Sequence, residues 1–529
     1  MNHIKRLAAG YFVCFAGLLP VLGEGITSVR ATKDTITLRG LCGRDTLRFV
    51  ELAPHQIVQP TNFGAVISRL VARSNFDVQL ARFEGVRDRL FSSFLALREA
   101  SDGTHVALGT NRFVEEMEGA SEFTVPFPVA ASKKGLQVQM VDDALALGIK
   151  HAALNVNFSQ MLDVPARSNS LAWPVDGRTV HFNRGYFESL DRQIRPLTDA
   201  GVVVSLILLA YQSRNAAINE LLLHPRCDKA APNRLGAFNT VTADGVLHFR
   251  ACVEFLAHRF APPETYHGRV ANFILGNEVN SHWFWANMGR VPMETFAEDY
   301  LRTARIAHTA LRKISSNARL YLSLEHHWNI RYPGGDEMQA FPGRAFLDYF
   351  NRRAKEQGDF DWHLAFHPYP ENLFEPRTWK DKSATTNDST PRITFKNLEV
   401  LPRYLRQAEL LCRGEPRRII LSEQGFHSSD QPDGEVAQAA GYAYAWYKID
   451  HLPAVDAFIL HRHVDHKQEG GLNLGLWRRQ PDSVATPGEK KKIYEVFKAA
   501  DTPGWEKAFE FALPVIGIQR WDQLEGGGR

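Results

Sequence analysis

Five cysteines in 529 residues leave little material for a disulfide framework, and no two of them form the CxxC pair of a metal finger. Cys14 lies in an apolar N-terminal segment. Of the other four, Cys227 and Cys252 are near enough in sequence for one disulfide, or stand as separate thiols. No GxSxG elbow, GK[ST] phosphate loop or HExxH helix occurs, so the usual signatures of serine hydrolysis, nucleotide binding and zinc peptidase chemistry are missing. Excess charge is missing too. Lys5 and Arg6 supply two of the three units of the formal net charge of +3, and the balance gives no reason to expect a nucleic-acid partner. Beyond the N-terminus no apolar run approaches the roughly 20 residues of a spanning helix, so no membrane span is expected in the mature chain.

What is present begins with "MNHIKRLAAGYFVCFAGLLPVLGEG", a short basic start, an apolar stretch over residues 7–22 and then small residues. This has the form of a secretory signal peptide over residues 1–23, with Val21 and Gly23 small enough to precede a cut; a retained anchor is the alternative. The expected location is secreted or periplasmic. Residues 24–115 follow as short alternating strands such as "TITLRG", "TLRFVELA" and "FDVQLARF", broken by polar and glycine-containing turns. They predict a small β-rich, sandwich-like domain.

The pattern then changes, and residues 116–529 alternate strand-length apolar runs with amphipathic helical stretches, the mark of parallel β/α units. Eight runs can be counted, beginning at Phe123, His151, Val202, Val270, Ala318, Asp359, Arg417 and Ala454. The stretch "GLQVQMVDDALALG" reads as the first helix between them, and "PGEKKKIYEVFKAAD" as a closing one. Eight such units predict an α/β fold of the (β/α)8 TIM-barrel type. Two connections, residues 211–243 and 371–395, are long for a compact barrel and follow strands, where active faces are built. Phe374 and Trp379 in the second are placed to line a cleft or to pack beneath the loop.

Two of the runs end on carboxylates. "FILGNEVN", residues 273–280, stops at Asn277 and Glu278 after the fourth strand; "RIILSEQGF", residues 418–426, stops at Glu423 after the seventh. Either glutamate alone is readily a loop cap or an ion-pair partner. Together, at two strand ends of one barrel, they face each other across the same rim, and a charge placed there carries a desolvation cost that a functional site makes use of. Retaining glycoside hydrolysis needs such a pair, about 5 to 5.5 Å apart, as acid/base and nucleophile. The sixth strand ends in "HPYP" and the eighth in "HRHVD", bringing His367, Tyr369, His461 and His463 toward that face. "EHHW" with Trp328 and "NSHWFW" with Trp283 and Trp285 offer indole faces for sugar rings, or core packing.

"GNE" three strands before "SEQG" resembles the clan A retaining glycoside hydrolases, over most of residues 123–500. That resemblance implies Glu278 as acid/base, Glu423 as nucleophile and Asn277 as donor to a sugar 2-hydroxyl. It also implies a carbohydrate substrate and no cofactor. "DDALALGIKHAALNVNFSQ" is similar to a secreted bacterial family known only as a domain of unknown function. A metal-dependent hydrolase is the competing reading of the histidines, but such barrels place an HxH pair on the first strand. Here His461 and His463 fall on the eighth, and no metal is expected. A glycan-binding barrel without activity is the other alternative; such proteins usually lack one of the two carboxylates.

Overall fold

The protein is described here by a computed structural model covering residues 23–528 other than 59–62, 73, 101 and 263–265. The signal segment read over residues 1–23 lies outside the described residues apart from Gly23. Residues 25–117 form two four-stranded sheets. One runs in the order Glu116–Met117, Gly25–Ala31, Thr35–Leu41, Asn75–Ala81, and the other Ala65–Ala72, Asp45–Leu52, Ser93–Glu99, His105–Phe113. Alternation decides which face is buried: Ile36 and Leu38 turn inward while Arg39 stays out, and Phe49 of one sheet meets Phe76 of the other edge-on at 4.9 Å. The strand Ala65–Ala72 is an edge strand exposed along most of its length, which is why it carries no clear alternation in the sequence.

The rest of the chain closes eight parallel strands into a barrel: Lys134–Gln137, His151–Asn157, Val203–Leu209, Val270–Leu275, Arg319–Glu325, Trp362–His367, Ile419–Leu421 and Val455–Leu460. The expected (β/α)8 architecture is present. Its interior is filled by a compact cluster in which the small Ala153, Ala365 and Ala457 make room for Ile207, Ile274 and Tyr321. Helices Arg184–Asp199, Ala243–Phe260, Met293–Ile314, Gly343–Glu356 and Gly434–Asp450 lie outside and share one larger core with the strands and the sandwich.

One strand is not where the apolar runs put it. Phe123 makes only an isolated bridge to Ser315, and the first barrel strand is Lys134–Gln137, inside the stretch read as helix. The helix there is short, Val141–Ala146. A Cβ on Gly135 would come within 2.9 Å of His151 Cβ and 2.8 Å of Ile459 Cγ1, so the strand passes where its neighbours leave no room for a side chain and produces no apolar signal. The cysteine question is resolved as separate thiols, since Cys42, Cys227, Cys252 and Cys412 are all free.

The sandwich docks where strands begin. Phe113 N donates to Gln357 O ahead of the sixth strand, and the Arg305 guanidinium lies between the rings of Phe113 and Phe360 while donating to the carbonyls of Ala354 and Gly358. The opposite rim is left to the βα loops. The first strand closes the barrel by pairing with the second and the eighth, and it is anchored by Lys134, only 1% exposed, whose Nζ stands 2.6 Å from Asp501 Oδ1 and donates to Ala500 O just past helix Lys492–Ala499. Breaking a buried pair from one side leaves the other charge without compensation. Lys134→Met is therefore expected to lose about 3–5 kcal/mol of unfolding free energy, read as a lower urea midpoint, and Lys134→Met/Asp501→Asn to recover part of it.

Candidate active site

The fourth strand ends at Leu275, whose carbonyl accepts from Tyr300 OH at 2.7 Å. Gly276 then takes φ 74° and, one residue past Asn277, Glu278 takes φ 40°, ψ 52°. A non-glycine residue in that left-handed region costs on the order of 1 kcal/mol and persists only where its surroundings hold it. Here the fifth strand holds it: Glu278 N donates to Ser323 Oγ at 3.0 Å, Asn280 Nδ2 donates to Glu325 Oε1 at 2.7 Å, and Glu325 N donates back to Asn280 Oδ1. The turn projects the Glu278 side chain over the barrel mouth.

Glu423 follows Ser422 at the end of the seventh strand and accepts from Tyr369 OH at 3.3 Å and from Gln137 Nε2 at 3.2 Å. One oxygen of Glu278, one of Glu423 and a ring nitrogen of His367 all lie within 4.8 Å of one another. His367, buried at the end of the sixth strand, bridges the two sides, with Nδ1 2.9 Å from Glu278 Oε1 and Nε2 3.0 Å from Ser422 Oγ.

The electrostatics are asymmetric. Burial raises the Glu278 pKa, and the charges of Glu423 and Glu325 add to this against the opposing bond from His367. Burial alone would lower the His367 pKa, but Glu278, Glu423 and Glu325 together raise it. Tyr369 is pushed up by burial and by Glu423, so its phenol remains a donor. Tyr211, at the start of the long third loop, is raised by burial and by the charge of Glu423.

Around this centre the residues expected from sequence divide. His461 stands behind Glu423: its Nδ1 is 2.6 Å from Gln137 Oε1 and its Nε2 3.1 Å from Glu469, so it orients the amide that meets the glutamate. Asn277, 9% exposed, has no side-chain hydrogen bond among the described residues. His463 does not reach the centre. Its Nε2 is 2.9 Å from Asp143 Oδ2, a carboxylate that also accepts from Trp477 and Tyr494, and it ties the eighth strand to the first βα loop. Trp328, 1% exposed, packs edge-on against Tyr404 and Phe366 and has no face free for a sugar. Trp283 is buried as well. In the sixth loop Trp379 packs on Tyr444, while Phe374 stays exposed beside His427. The half-buried aromatics over the barrel mouth are Tyr211 and Trp285, which rest on the Leu209, Leu235 and Ile274 end of the interior cluster.

Gln137, Tyr211 and Ser323 carried no sequence signal of their own, and Glu325 was legible only as the first residue of the "EHHW" stretch. Gln137 follows from locating the first strand correctly; Ser323 and Glu325 occupy alternate positions of the fifth. A polar groove of about 610 Å³ lies beside the rim, lined by Ser159, Asp163, Arg167, Asn183 and Asn215, and Ser159 Oγ donates to Tyr211 O.

Among the described residues, three ligand-type atoms converge at Glu278, His367 and Glu423 and again at Glu325, His326 and His327. In the second set the carboxylate is already filled by four donors: Asn280 Nδ2, Ser281 Oγ, His327 N and His327 Nδ1.

Two opposed glutamates at the strand-exit rim of a closed eight-stranded barrel define the class, a (β/α)8 protein whose polar site sits where such barrels carry their chemistry. Within it, the chain belongs to the family of unknown function DUF5722, whose model matches residues 126–524. No curated protein matches the sequence. Among solved structures it is similar to a family 39 glycoside hydrolase from Bacteroides cellulosilyticus WH2, at 12% identity and a TM-score of 0.45 over 90% of this chain and 83% of that one. It is also similar to a hyperthermophilic β-glucosidase from Pyrococcus furiosus (15%, 0.43, 71% and 86%) and to a family 1 β-glucosidase from Thermotoga maritima (11%, 0.43, 68% and 84%).

Burial alone would raise the Glu325 pKa, but the His327 ring and backbone N–H hold it down at about 2. A carboxyl held below its unfolded value contributes stability above that value, lost as pH falls from about 4.5 toward 2, here roughly 3 kcal/mol. The stability difference between the protein and Glu325→Gln is expected to narrow across that window in urea titrations at stepped pH.

Proposed function

We propose that the protein is an exported glycoside hydrolase that cleaves a poly- or oligosaccharide with retention of anomeric configuration, with Glu423 as nucleophile and Glu278 as acid/base. The observation that carries the reading is the approach of one oxygen of each carboxylate to within 4.8 Å, which fits the short separation of retaining pairs better than the roughly 6.5–9.5 Å of inverting ones. Tyr369 and Gln137 aim the Glu423 oxygens at the anomeric carbon from one side. On the other, burial and the charge of Glu423 favour the protonated form of Glu278, which the departing oxygen requires. Once the glycosyl-enzyme forms, Glu423 is an ester and its charge is gone. Glu278 then loses its proton more readily and activates water for the second displacement.

In this reading Asn277, next to Glu278 in the chain, is the donor to the sugar 2-hydroxyl, and Tyr211 and Trp285 offer ring faces at the mouth. The polar groove beside Tyr211 suits a hydroxyl-rich chain longer than one sugar. Export rests on the basic and apolar N-terminal segment.

The test begins with a panel of aryl glycosides and polysaccharides; inactivity across all of it would favour a glycan-binding barrel. On an active substrate, Glu423→Ala is expected to abolish turnover and to recover with azide to a product of inverted configuration. Glu278→Ala is expected to fall about 10²- to 10⁴-fold on poor leaving groups, and azide then gives a product of retained configuration. Exchanged configurations would reverse the two roles. Activity is also expected to survive exhaustive chelation; loss restored by zinc or manganese would move the chemistry to the histidines.

A further inference from the structure

We propose that Glu325 is a positioning residue of this site: a buried carboxylate that fixes the turn carrying Glu278 and whose charge adds to the field in which the Glu278 proton sits. The inference rests on the acid/base role given to Glu278 above. It starts from placement. Tyr321, Ser323 and Glu325 alternate along the fifth strand; Tyr321 fills the barrel interior, Ser323 receives the Glu278 amide, and Glu325 is the register partner of His367, the ring that contacts the Glu278 carboxyl.

The donor set around Glu325 is unusual for a buried carboxylate. Its oxygens accept from Asn280 Nδ2 at 2.7 Å, Ser281 Oγ at 3.1 Å, His327 N at 2.8 Å and His327 Nδ1 at 2.6 Å. Among the described residues no lysine or arginine pairs with it. His326, the other ring nearby, has a pKa lowered by burial to about 3 and is neutral at ordinary pH. The His327 ring, 2.6 Å from Glu325 Oε2, offsets the Glu325 charge whenever it is protonated, yet in this buried surrounding the charge still acts on both Glu278 and His367.

Those neighbours are the groups facing Glu278: His367 from the sixth strand, Glu423 from the seventh, and Ser323 and Glu325 from the fifth. The Glu325 charge raises the affinity of both Glu278 and His367 for a proton. It also persists through the reaction. When Glu423 becomes an ester its charge disappears, while that of Glu325 remains, so Glu278 does not lose all of its proton affinity between the two displacements.

The same carboxylate clamps the turn. Asn280 is bonded to Glu325 twice, by side-chain donor and side-chain acceptor, two residues after the left-handed Glu278. Charge and geometry separate by mutation: Glu325→Gln removes the charge, whereas Glu325→Asp and Asn280→Ala keep it and loosen the clamp.

The experiment follows the full-length protein by ¹³C-glutamate carboxyl NMR from pH 3 to 9, with Glu278 and Glu325 assigned by loss of signal in Glu278→Gln and Glu325→Gln, alongside pH profiles of kcat/KM on the best aryl glycoside. In the unaltered protein Glu325 is expected to stay ionised over the whole range in which Glu278 takes up its proton. In Glu325→Gln the Glu278 midpoint and the alkaline limb should move together to lower pH. In Glu325→Asp and Asn280→Ala the midpoint should stay while kcat falls.

An unmoved midpoint in a folded Glu325→Gln protein would reduce Glu325 to a structural clamp. If that variant does not fold, protonation of Glu325 at or above the pH at which Glu278 titrates in the unaltered protein would overturn the proposal equally. Should no glycoside be turned over, the glycosidase reading falls, and the NMR midpoints still decide whether Glu325 sets the proton on Glu278.

Discussion

Two carboxyl oxygens held within 4.8 Å at a mostly buried rim repel each other by roughly 3 kcal/mol at the effective dielectric of protein interiors, if both groups are charged. That repulsion constrains what surrounds them. One group must be kept ready to bind a proton while the other is met by donors, and the surroundings are sorted accordingly. Tyr369 and Gln137 address Glu423, while Glu278 is half-buried beside a histidine and within the field of a second carboxylate, Glu325. Neither glutamate is placed by its own strand alone. Each is held from a neighbour, Glu278 by Ser323 and, through Asn280 of its own turn, by Glu325 on the fifth strand, and Glu423 by Gln137 from the first.

This dependence explains why barrel closure matters to the chemistry. Gln137 reaches Glu423 only because a four-residue strand with a glycine in it is inserted between the second and eighth strands, and that strand is tied down by Lys134 at the opposite end. His461 then orients the far side of the Gln137 amide, and Glu469 holds His461. A chain of ordinary hydrogen bonds thus runs from the eighth-strand loop to the carboxylate. The sandwich contacts through Phe113 and Arg305 lie where strands begin, at the end of the barrel away from this rim.

Burial also sorts the aromatic residues, and it does so in a way that residue type does not reveal. Trp328 lies just beyond the end of the fifth strand and Trp285 on the short helix His282–Trp285 that follows the fourth. The first is enclosed by Phe366 and Tyr404 between strand and helix; the second lies half-open above the interior cluster with Tyr211. The histidines divide likewise. His367 touches the acidic centre, His461 supports it from behind, and His463 fastens a loop.

From sequence alone, the barrel class and the two glutamates were legible, because long parallel strands buried on both faces are continuous apolar runs, and a carboxylate ending such a run stands out against its desolvation cost. Seven of the eight barrel strands were visible in this way. The first was not, since it is only four residues long, Gly135 has no side chain where its neighbours leave no room for one, and Lys134 and Gln137 are polar, so no hydrophobic pattern marks it. Tertiary structure alone decided the supporting shell. Gln137, Tyr211 and the Ser323/Glu325 pair are far apart in the chain; barrel closure brings two strands and a loop to one rim. Local sequence sets periodicity and burial along each element. Which side chain meets which across elements is set by strand register and barrel geometry, and those are properties of the closed sheet as a whole.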